Sequence, residues 1–298
     1  MVFHLSVVIL SFNTKELIQR CLVSLEDAIQ NQKGCLIMEV IVLDNNSTDG
    51  SVDFLKNWEH EQLSYKKIVI FEKKNLGFSA GCNKAVRLAT GNFLLFLNSD
   101  VMIPADFFFY SLCESLYNDP NAAGLTVRVV RDNGLLDQAC HRGFPTIWRS
   151  LTYFSGLERL SQKFAVGKKI FGGYHLTDKN MKIRHIIDSP SGAFFLMKKE
   201  IFIELGGFDE DFFMYGEDID LAYRINKLKK NIYYDPSVSV VHVKYQSGLK
   251  KKDKVQTKTV SYFYEAMRIF FRKHYEKKTP FFLRKLVYLI ISLKEMFA

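Results

Sequence analysis

Cysteine is scarce in this 298-residue sequence. The five present (Cys21, Cys35, Cys82, Cys113 and Cys140) are odd in number and form no CxxC pair. That pattern excludes a disulfide framework and a zinc cluster and fits a reducing, cytoplasmic setting. Proline is scarce too, at six residues, and neither a low-complexity tract nor an internal repeat is visible, which excludes a disordered linker or a repeat array. Long apolar runs are missing. The longest in the C-terminal stretch is Leu286–Ile291, far short of the ~20 residues that span a bilayer. The N-terminus, MVFHLSVVILSF, has neither a basic n-region nor a small-residue cleavage site, so no secretory signal is expected.

Aromatic residues, by contrast, are abundant. With 26 Phe, 14 Tyr and 48% hydrophobic residues, the chain can bury one large α/β domain or two small ones. Acidic residues thin out toward the end: residues 244–298 hold 14 Lys and Arg against 4 Asp and Glu, while residues 1–243 hold 27 against 28. The whole net charge of +9 therefore resides in the C-terminal extension, and such an asymmetry points to a polyanionic partner, a membrane surface or a nucleic acid.

Short apolar runs alternate with amphipathic stretches over the first hundred residues. Strands are expected at Ser6–Leu10, Glu39–Leu43, Ile68–Phe71 and Phe93–Leu97. Helices fall between them, one opened by Thr14 with Leu17, Ile18, Cys21, Leu22 and Leu25 on one face, the others near 50–58 and 78–89. This order predicts a mostly parallel sheet covered on both faces, with ligands bound at the carboxyl ends of its strands. Polar clusters stand at those ends: Ser11–Asn13, Asp44–Asp49, Asn75–Gly77 and Asn98–Asp100. Residues 134–190 read as an irregular insertion near the site. Order returns with a strand at Ser191–Leu196, a helix at 199–205, a helix from Asp218 and a strand at Val238–Val241 ending at His242. A lysine-rich loop (Lys250, Lys251, Lys252, Lys254) then leads to basic amphipathic helices.

Asp100 closes an apolar strand, where a carboxylate suits a hard divalent cation; the alternative is a turn or cap aspartate ahead of Pro104. Asp44, also at a strand end, can accept a hydrogen bond from a nucleobase imide. Gly77 and Gly81 permit close backbone approach, and the helix that follows offers an N-terminus to a diphosphate. Neither G-x-G-x-x-G nor a P-loop is present.

Seven segments occur in order: VVILSFN, VLDNNSTDGS, NLGFSAGCN, FLNSD, SGAFFLMKKEIF, GGFDEDFFMYGEDIDLAYR and a late strand-end His. Together, over about residues 4–245, they resemble the inverting glycosyltransferases of family 2, which have the GT-A fold, and within them the rhamnosyltransferase-like enzymes of bacterial surface polysaccharides. The resemblance implies a GT-A catalytic domain over 1–245, with a nucleotide-binding half (1–103) and an acceptor half (104–245), followed by the extension 246–298. It implies that Ser11, Phe12, Asn13 and Asp44 hold a pyrimidine base. Asn75, Gly77 and Asn83 would line the nucleotide, as would Asn98 and Ser99. Asp100, in the place of the D-x-D motif, would bind Mn2+ or Mg2+. Asn98 departs from that motif by replacing its first Asp. His242 would be a further metal ligand or else a partly buried structural His. Of the crowded acids Glu217, Asp218 and Asp220, Asp218 would be the catalytic base, with Glu217 second. Asp220 fits a helix N-terminal acid.

The expected activity is transfer of a sugar, rhamnose by the branch, from a dTDP or UDP donor to a lipid-linked glycan. It would take place on the inner face of the cell membrane, with the extension resting on anionic lipid. A packed helix or a dimer seam is the other reading of the extension, and an oligomer stays open. Nucleic acid is disfavoured, since no recognisable binding module carries the basic residues. A sugar nucleotidyltransferase would need an N-terminal Gly-rich loop with a basic residue, which Ser11-Phe12-Asn13 does not provide. A non-catalytic scaffold would have no need of Asp100, Asp218 and His242 together.

Overall fold

A computed structural model describes the chain except for residues 33–34, 62–63 and 244–253. The first half alternates strand and helix: β1 (Phe3–Ser11), α1 (Lys15–Gln30), β2 (Leu36–Asp44), α2 (Ser51–His60), β3 (Lys66–Phe71), α3 (Phe78–Val86) and β4 (Phe93–Asn98). Val7, Val8 and Ile9 of β1, Val40 to Leu43 of β2 and Leu94 to Leu97 of β4 are almost fully enclosed, as strands covered on both faces must be. Helix α1 buries Ile18, Cys21, Leu22 and Leu25 of the face expected from the spacing, together with Ala28, while Leu17 at the margin of that face is only partly covered. Its cap differs from expectation. The Thr14 side chain caps nothing, and the Lys15 N–H is taken instead by Asp49 Oδ2 at 2.8 Å, from the loop after β2.

The chain continues through β5 (Val101–Met102), α4 (Phe109–Tyr117), β6 (Ala122–Arg131), the short helices α5 (Ile147–Phe154), α6 (Leu157–Ser161) and α7 (Ala165–Phe171), β7 (His185–Ile187) and β8 (Phe194–Lys198). Then come α8 (Lys199–Glu204), α9 (Glu217–Lys227) and β9 (Asn231–His242), and finally α10 (Lys254–His274) and α11 (Phe281–Met296). Strand β6 and the three helices inside 134–190 are not foreseen in the sequence. Lys254 opens α10 and so is not part of a loop, while Lys250, Lys251 and Lys252, like the expected boundary near 245, lie outside the described residues.

The described strands form one sheet in the order β3-β2-β1-β4-β8-β6-β9-β5, with β7 beside β9. Strands β1 to β4, β6 and β9 share one direction, whereas β5, β7 and β8 oppose it. The sheet is thus mostly parallel, as expected, with antiparallel strands confined to the second half. Edge strand β3 presents Lys66 and Lys67, and charges of this kind discourage edge-to-edge pairing.

Two pairings position the site. From β1 the chain moves to β2 on one side and later returns to β4 on the other, which opens a crevice over the carboxyl ends of β1 and β4. Because β8 runs against β4, with Phe194 opposite Leu97, its entrance lies at that same end, and Ser191–Ala193 arrive there as loop. Strand β9 ends there too, with His242 opposite Val101.

Candidate active site

Across the crevice, Thr14 Oγ1 stands 3.1 Å from Ser11 Oγ and 3.2 Å from Ser99 Oγ. Asn13 adopts a left-handed conformation (φ 52°), its N–H bonds Ser47 Oγ at 2.8 Å, and its Oδ1 accepts the Thr48 N–H at 2.7 Å. The β1 and β2 loops are therefore built as one unit. Phe12 is left 42% exposed beside them. Asp44 is fully buried: Oδ1 accepts the Ser47 N–H at 2.9 Å, while Oδ2 has no partner among the described residues. A buried carboxylate oxygen without a donor calls for one.

Asn75 Oδ1 takes the Gly77 N–H and the Asn45 amide, both at 2.8 Å, which folds the loop before α3. Gly77 is required there for a reason other than ligand approach. It has φ 83°, and a Cβ on it would lie 2.5 Å from the Phe213 carbonyl. A Cβ on Gly81 would strike Leu10 at the same distance. At the start of α3 the Phe78 N–H donates to the Phe213 carbonyl at 2.7 Å and Ser79 Oγ donates to the Phe212 carbonyl, so the first N–H of the helix is taken by the segment before α9. Nor does Asn83 have an amide to spare. Its Nδ2 donates to the Phe208 carbonyl and Glu210, and its Oδ1 accepts the Phe208 N–H. These residues hold the 206–216 segment against α3. Only the FDEDFF segment, distant in sequence, makes their packing role visible.

Asn98, the last residue of β4, is fixed through its main chain, with its N–H on the Ala193 carbonyl and its carbonyl accepting from Cys21 Sγ. Two residues on, Asp100 Oδ1 lies 3.1 Å from His242 Nε2, and the other ring nitrogen, Nδ1, lies 2.9 Å from Asp137 Oδ2. The Val243 N–H donates to the Asp100 carbonyl, locking the two strand ends together. Burial disfavours charge on His242, but the bonds to Asp100 and Asp137 outweigh it and raise the ring to about 9. Among the described residues no group of three metal-ligating side chains surrounds one point. An adjacent carboxylate and imidazole still fit Mn2+ or Mg2+, cations that complete their shells with phosphate oxygens and water. The carboxylate behind the ring, which sequence reasoning missed, is the usual partner that orients a ligand histidine.

On the other wall, Gly216 (φ 81°) turns the chain into α9, whose first turn carries Glu217, Asp218 and Asp220, all buried. Asp218 Oδ2 accepts from Arg142 Nη2 at 2.7 Å and from the Gly192 N–H at 3.3 Å, and Oδ1 accepts the Ile219 N–H. Arg142, also bonded to the Pro190 carbonyl, has no sequence signal, since it lies in the irregular region. Burial, reinforced by the Asp218 carboxylate, pushes Glu217 up to about 8, and its Oε2 has no partner among the described residues. The half-exposed Tyr215 phenol is raised by burial and then by both Glu217 and Asp100, so it lies within electrostatic reach of both walls.

Asp220 belongs to a different structure. It accepts from Arg224 at 2.7 Å, His274 at 2.7 Å and Lys273 at 2.8 Å, and although burial opposes its charge, the His274 hydrogen bond and then the Arg224 and Lys273 cations draw it down to about 2. It anchors α10 to α9 from the first turn of α9, the place expected of a helix N-terminal acid.

Residues 6–206 match the glycosyl transferase family 2 model. The chain is 26% identical over 285 residues to YfnE, an uncharacterized glycosyltransferase of Bacillus subtilis (strain 168), covering 84% of this chain and 67% of that protein. A 57-residue stretch is 44% identical to the N-acetylglucosaminyl-diphospho-decaprenol L-rhamnosyltransferase of Mycobacterium tuberculosis (strain ATCC 25618 / H37Rv), covering 19% of each chain. Among solved structures it is similar to the mannosyltransferase PcManGT from Pyrobaculum calidifontis in complex with GDP-Man and Mn2+. That match has a TM-score of 0.56 at 17% identity and covers 91% of this chain and 65% of the other. The chain thus spans about two thirds of the length of YfnE and of the mannosyltransferase. Matched motifs and sheet architecture agree: this chain belongs to glycosyl transferase family 2 and has the GT-A fold.

Proposed function

We propose that the protein is an inverting glycosyltransferase that moves a sugar, rhamnose being the favoured one, from a dTDP or UDP donor to a hydroxyl of a lipid-linked glycan. The observation that carries this reading is the meeting, at one sheet edge, of an under-bonded Asp44, the Asp100–His242 pair and the Glu217–Asp218 pair. The unpartnered Asp44 Oδ2 supports capture of a pyrimidine imide N–H, with Phe12 and Asn13 beside the base. Asp100 and His242 would hold Mn2+ or Mg2+, which supplies neutralisation of the charge that develops on the leaving diphosphate. The rhamnose assignment rests on the short stretch shared with the M. tuberculosis rhamnosyltransferase.

The chain's own acids do the rest. Below about pH 8 Glu217 keeps its proton, so the role of base falls to its neighbour Asp218, which is paired with Arg142 at 2.7 Å. The acceptor oxygen attacks the anomeric carbon, the bond to the diphosphate oxygen breaks with its electron pair leaving on the diphosphate, and Asp218 takes the hydroxyl proton. Arg142 and the Gly192 N–H orient that carboxylate. No helix among the described residues is long and apolar enough to cross a membrane, and the basic extension supports attachment at the inner face of the cell membrane. The test is Mn2+- or Mg2+-dependent release of dTDP or UDP from a panel of donor sugars, paired with thermal shift. A ligand that binds only the folded chain raises its stability. A panel that yields neither shift nor release overturns the reading.

A further inference from the structure

Helix α11 carries its apolar stripe on the wrong side for a soluble helix. Phe282, Leu286, Leu289, Leu293 and Phe297 recur at helical spacing and are all exposed, Phe282 at 69% and Phe297 at 80%. The opposite face is the one that packs: Ile291 is buried, Tyr288 meets Phe271 of α10 edge-to-face, and Glu295 pairs with Arg268. The α5–α7 segment shows the same inversion. Trp148 and Leu151 of α5, Leu160 of α6, and Val166 of α7 stand in solvent, as does Phe164, with Leu160, Phe164 and Val166 each about 70% exposed. The segment is nonetheless well built. The Trp148 indole donates to the Ile170 carbonyl at 3.0 Å, and Arg149 pairs with Asp188. The two regions touch where the Lys294 ammonium sits 4.7 Å from the Phe154 ring centroid.

Charge sorts the same way. Lys163, Lys169, Lys277, Lys278 and Lys285 are exposed around these apolar faces. Two acids beside them are paired: Glu158 is buried on His175, and Glu295 is taken by Arg268. An apolar surface rimmed by exposed lysines is complementary to an anionic lipid interface, and helices of this length rest in it without crossing. Position agrees. The segment leaves and rejoins the body at Arg142 and Ser189, which bridge each other next to Asp218.

We propose that α5–α7 and α11 form one composite surface that beds into an anionic bilayer and sets the acceptor side of the site at the lipid headgroups. This rests on the reading of the extension as membrane-attached and adds the internal segment as a second, independent seat. The test uses the full-length chain and flotation with vesicles of phosphatidylcholine, with and without phosphatidylglycerol. Two variants, Phe164→Asp with Val166→Asp and Phe282→Asp with Leu289→Asp, alter only exposed side chains. Each is expected to lower partition into the anionic vesicles by about tenfold or more, since burial of even one such side chain carries that much. Loss in the α11 variant with wild-type binding by the α7 variant would overturn the composite surface and leave the tail alone as the anchor. Absence of wild-type binding, with self-association that both variants abolish, would overturn it in favour of an interface between copies. Release of nucleotide diphosphate without vesicles is read alongside. If it is absent from every protein including the wild type, the catalytic reading fails while partition still decides the surface.

Discussion

Of the two carboxylates that open α9, Asp218 has both oxygens engaged, by Arg142 and Gly192 on one side and by its own helix on the other, whereas Glu217 keeps Oε2 unpartnered among the described residues. Asp218→Asn is expected to lower turnover by about 10²–10⁴-fold with donor affinity retained, because it removes a proton acceptor and leaves the nucleotide contacts in place. Glu217→Gln mimics the protonated form and is expected to cost much less near neutral pH. The reverse ranking in steady-state kinetics would pass the role of base to Glu217. The same Glu217 makes stability depend on pH. Its folded value lies above the ordinary one, so in between the folded chain holds a proton that the unfolded chain has lost, and stability falls as pH rises from about 5 to about 8. Denaturant unfolding across that range is expected to show a flatter slope in Glu217→Gln. At the other wall, Asp100→Ala is expected to abolish Mn2+-dependent tightening of UDP or dTDP binding. His242→Ala and Asp137→Asn are each expected to weaken it by about 10–100-fold, since an oriented imidazole is worth that much; calorimetric titration with and without Mn2+ separates them. Asp100, Asp218 and His242 are legible because each closes a strand or opens a helix with strong apolar periodicity. Arg142 and Asp137 are not, because the contacts that give them meaning join residues far apart in a stretch with no period.

At the scale of elements, legibility followed where each element turns its apolar side. Strands β1, β2 and β4 bury nearly every side chain and read as continuous runs, and α1 and α9 bury one stripe each. Helices α5 to α7 are short and face outward, so no inward stripe announces them. Strand β6 is not read from the sequence, although Leu125, Val127 and Val129 are fully buried and the turn that precedes it is closed by the Ala122 N–H on the Asp119 carbonyl. The Asp220 cluster belongs to this scale as well, joining α9 to α10. Asp220→Asn would leave Lys273 and His274 without their shared anion. It is expected to destabilise the chain by about 3–5 kcal/mol, the usual cost of breaking a buried pair, measured by denaturant unfolding at neutral pH. Because the folded value is drawn down to about 2, this contribution is present above the ordinary carboxylate range. It is lost as pH falls from about 4 to about 2, and the variant's deficit is expected to shrink there.

For the molecule as a whole, the sequence sets a near-neutral body against an extension of +10, and the structure divides that extension into two parts with different duties. Helix α10 is a packing element, with Ala266, Ile269 and Phe270 gathered on Phe212. Helix α11 leaves its apolar stripe outside. Reversing charge at Lys277, Lys278 and Lys285 is expected to lower binding to anionic vesicles and to weaken its salt dependence, with melting temperature unchanged because all three are exposed. Co-sedimentation over a salt series checks this, and wild-type binding by the reversed protein would mean that these lysines are merely solvated.

The fastening of α10 also carries a consequence for the order of synthesis. Gly216, which turns the chain into α9, packs on Ala266, and Asp220 closes only when Lys273 and His274 arrive. On a ribosome those residues emerge after every strand of the sheet. The sheet can assemble from strands already released, but the helix that presents Glu217 and Asp218 gains these supports only once α10 has followed. The crevice over β1 and β4 therefore forms before the carboxylates of α9 are fixed, and the two walls of the candidate site mature in that order.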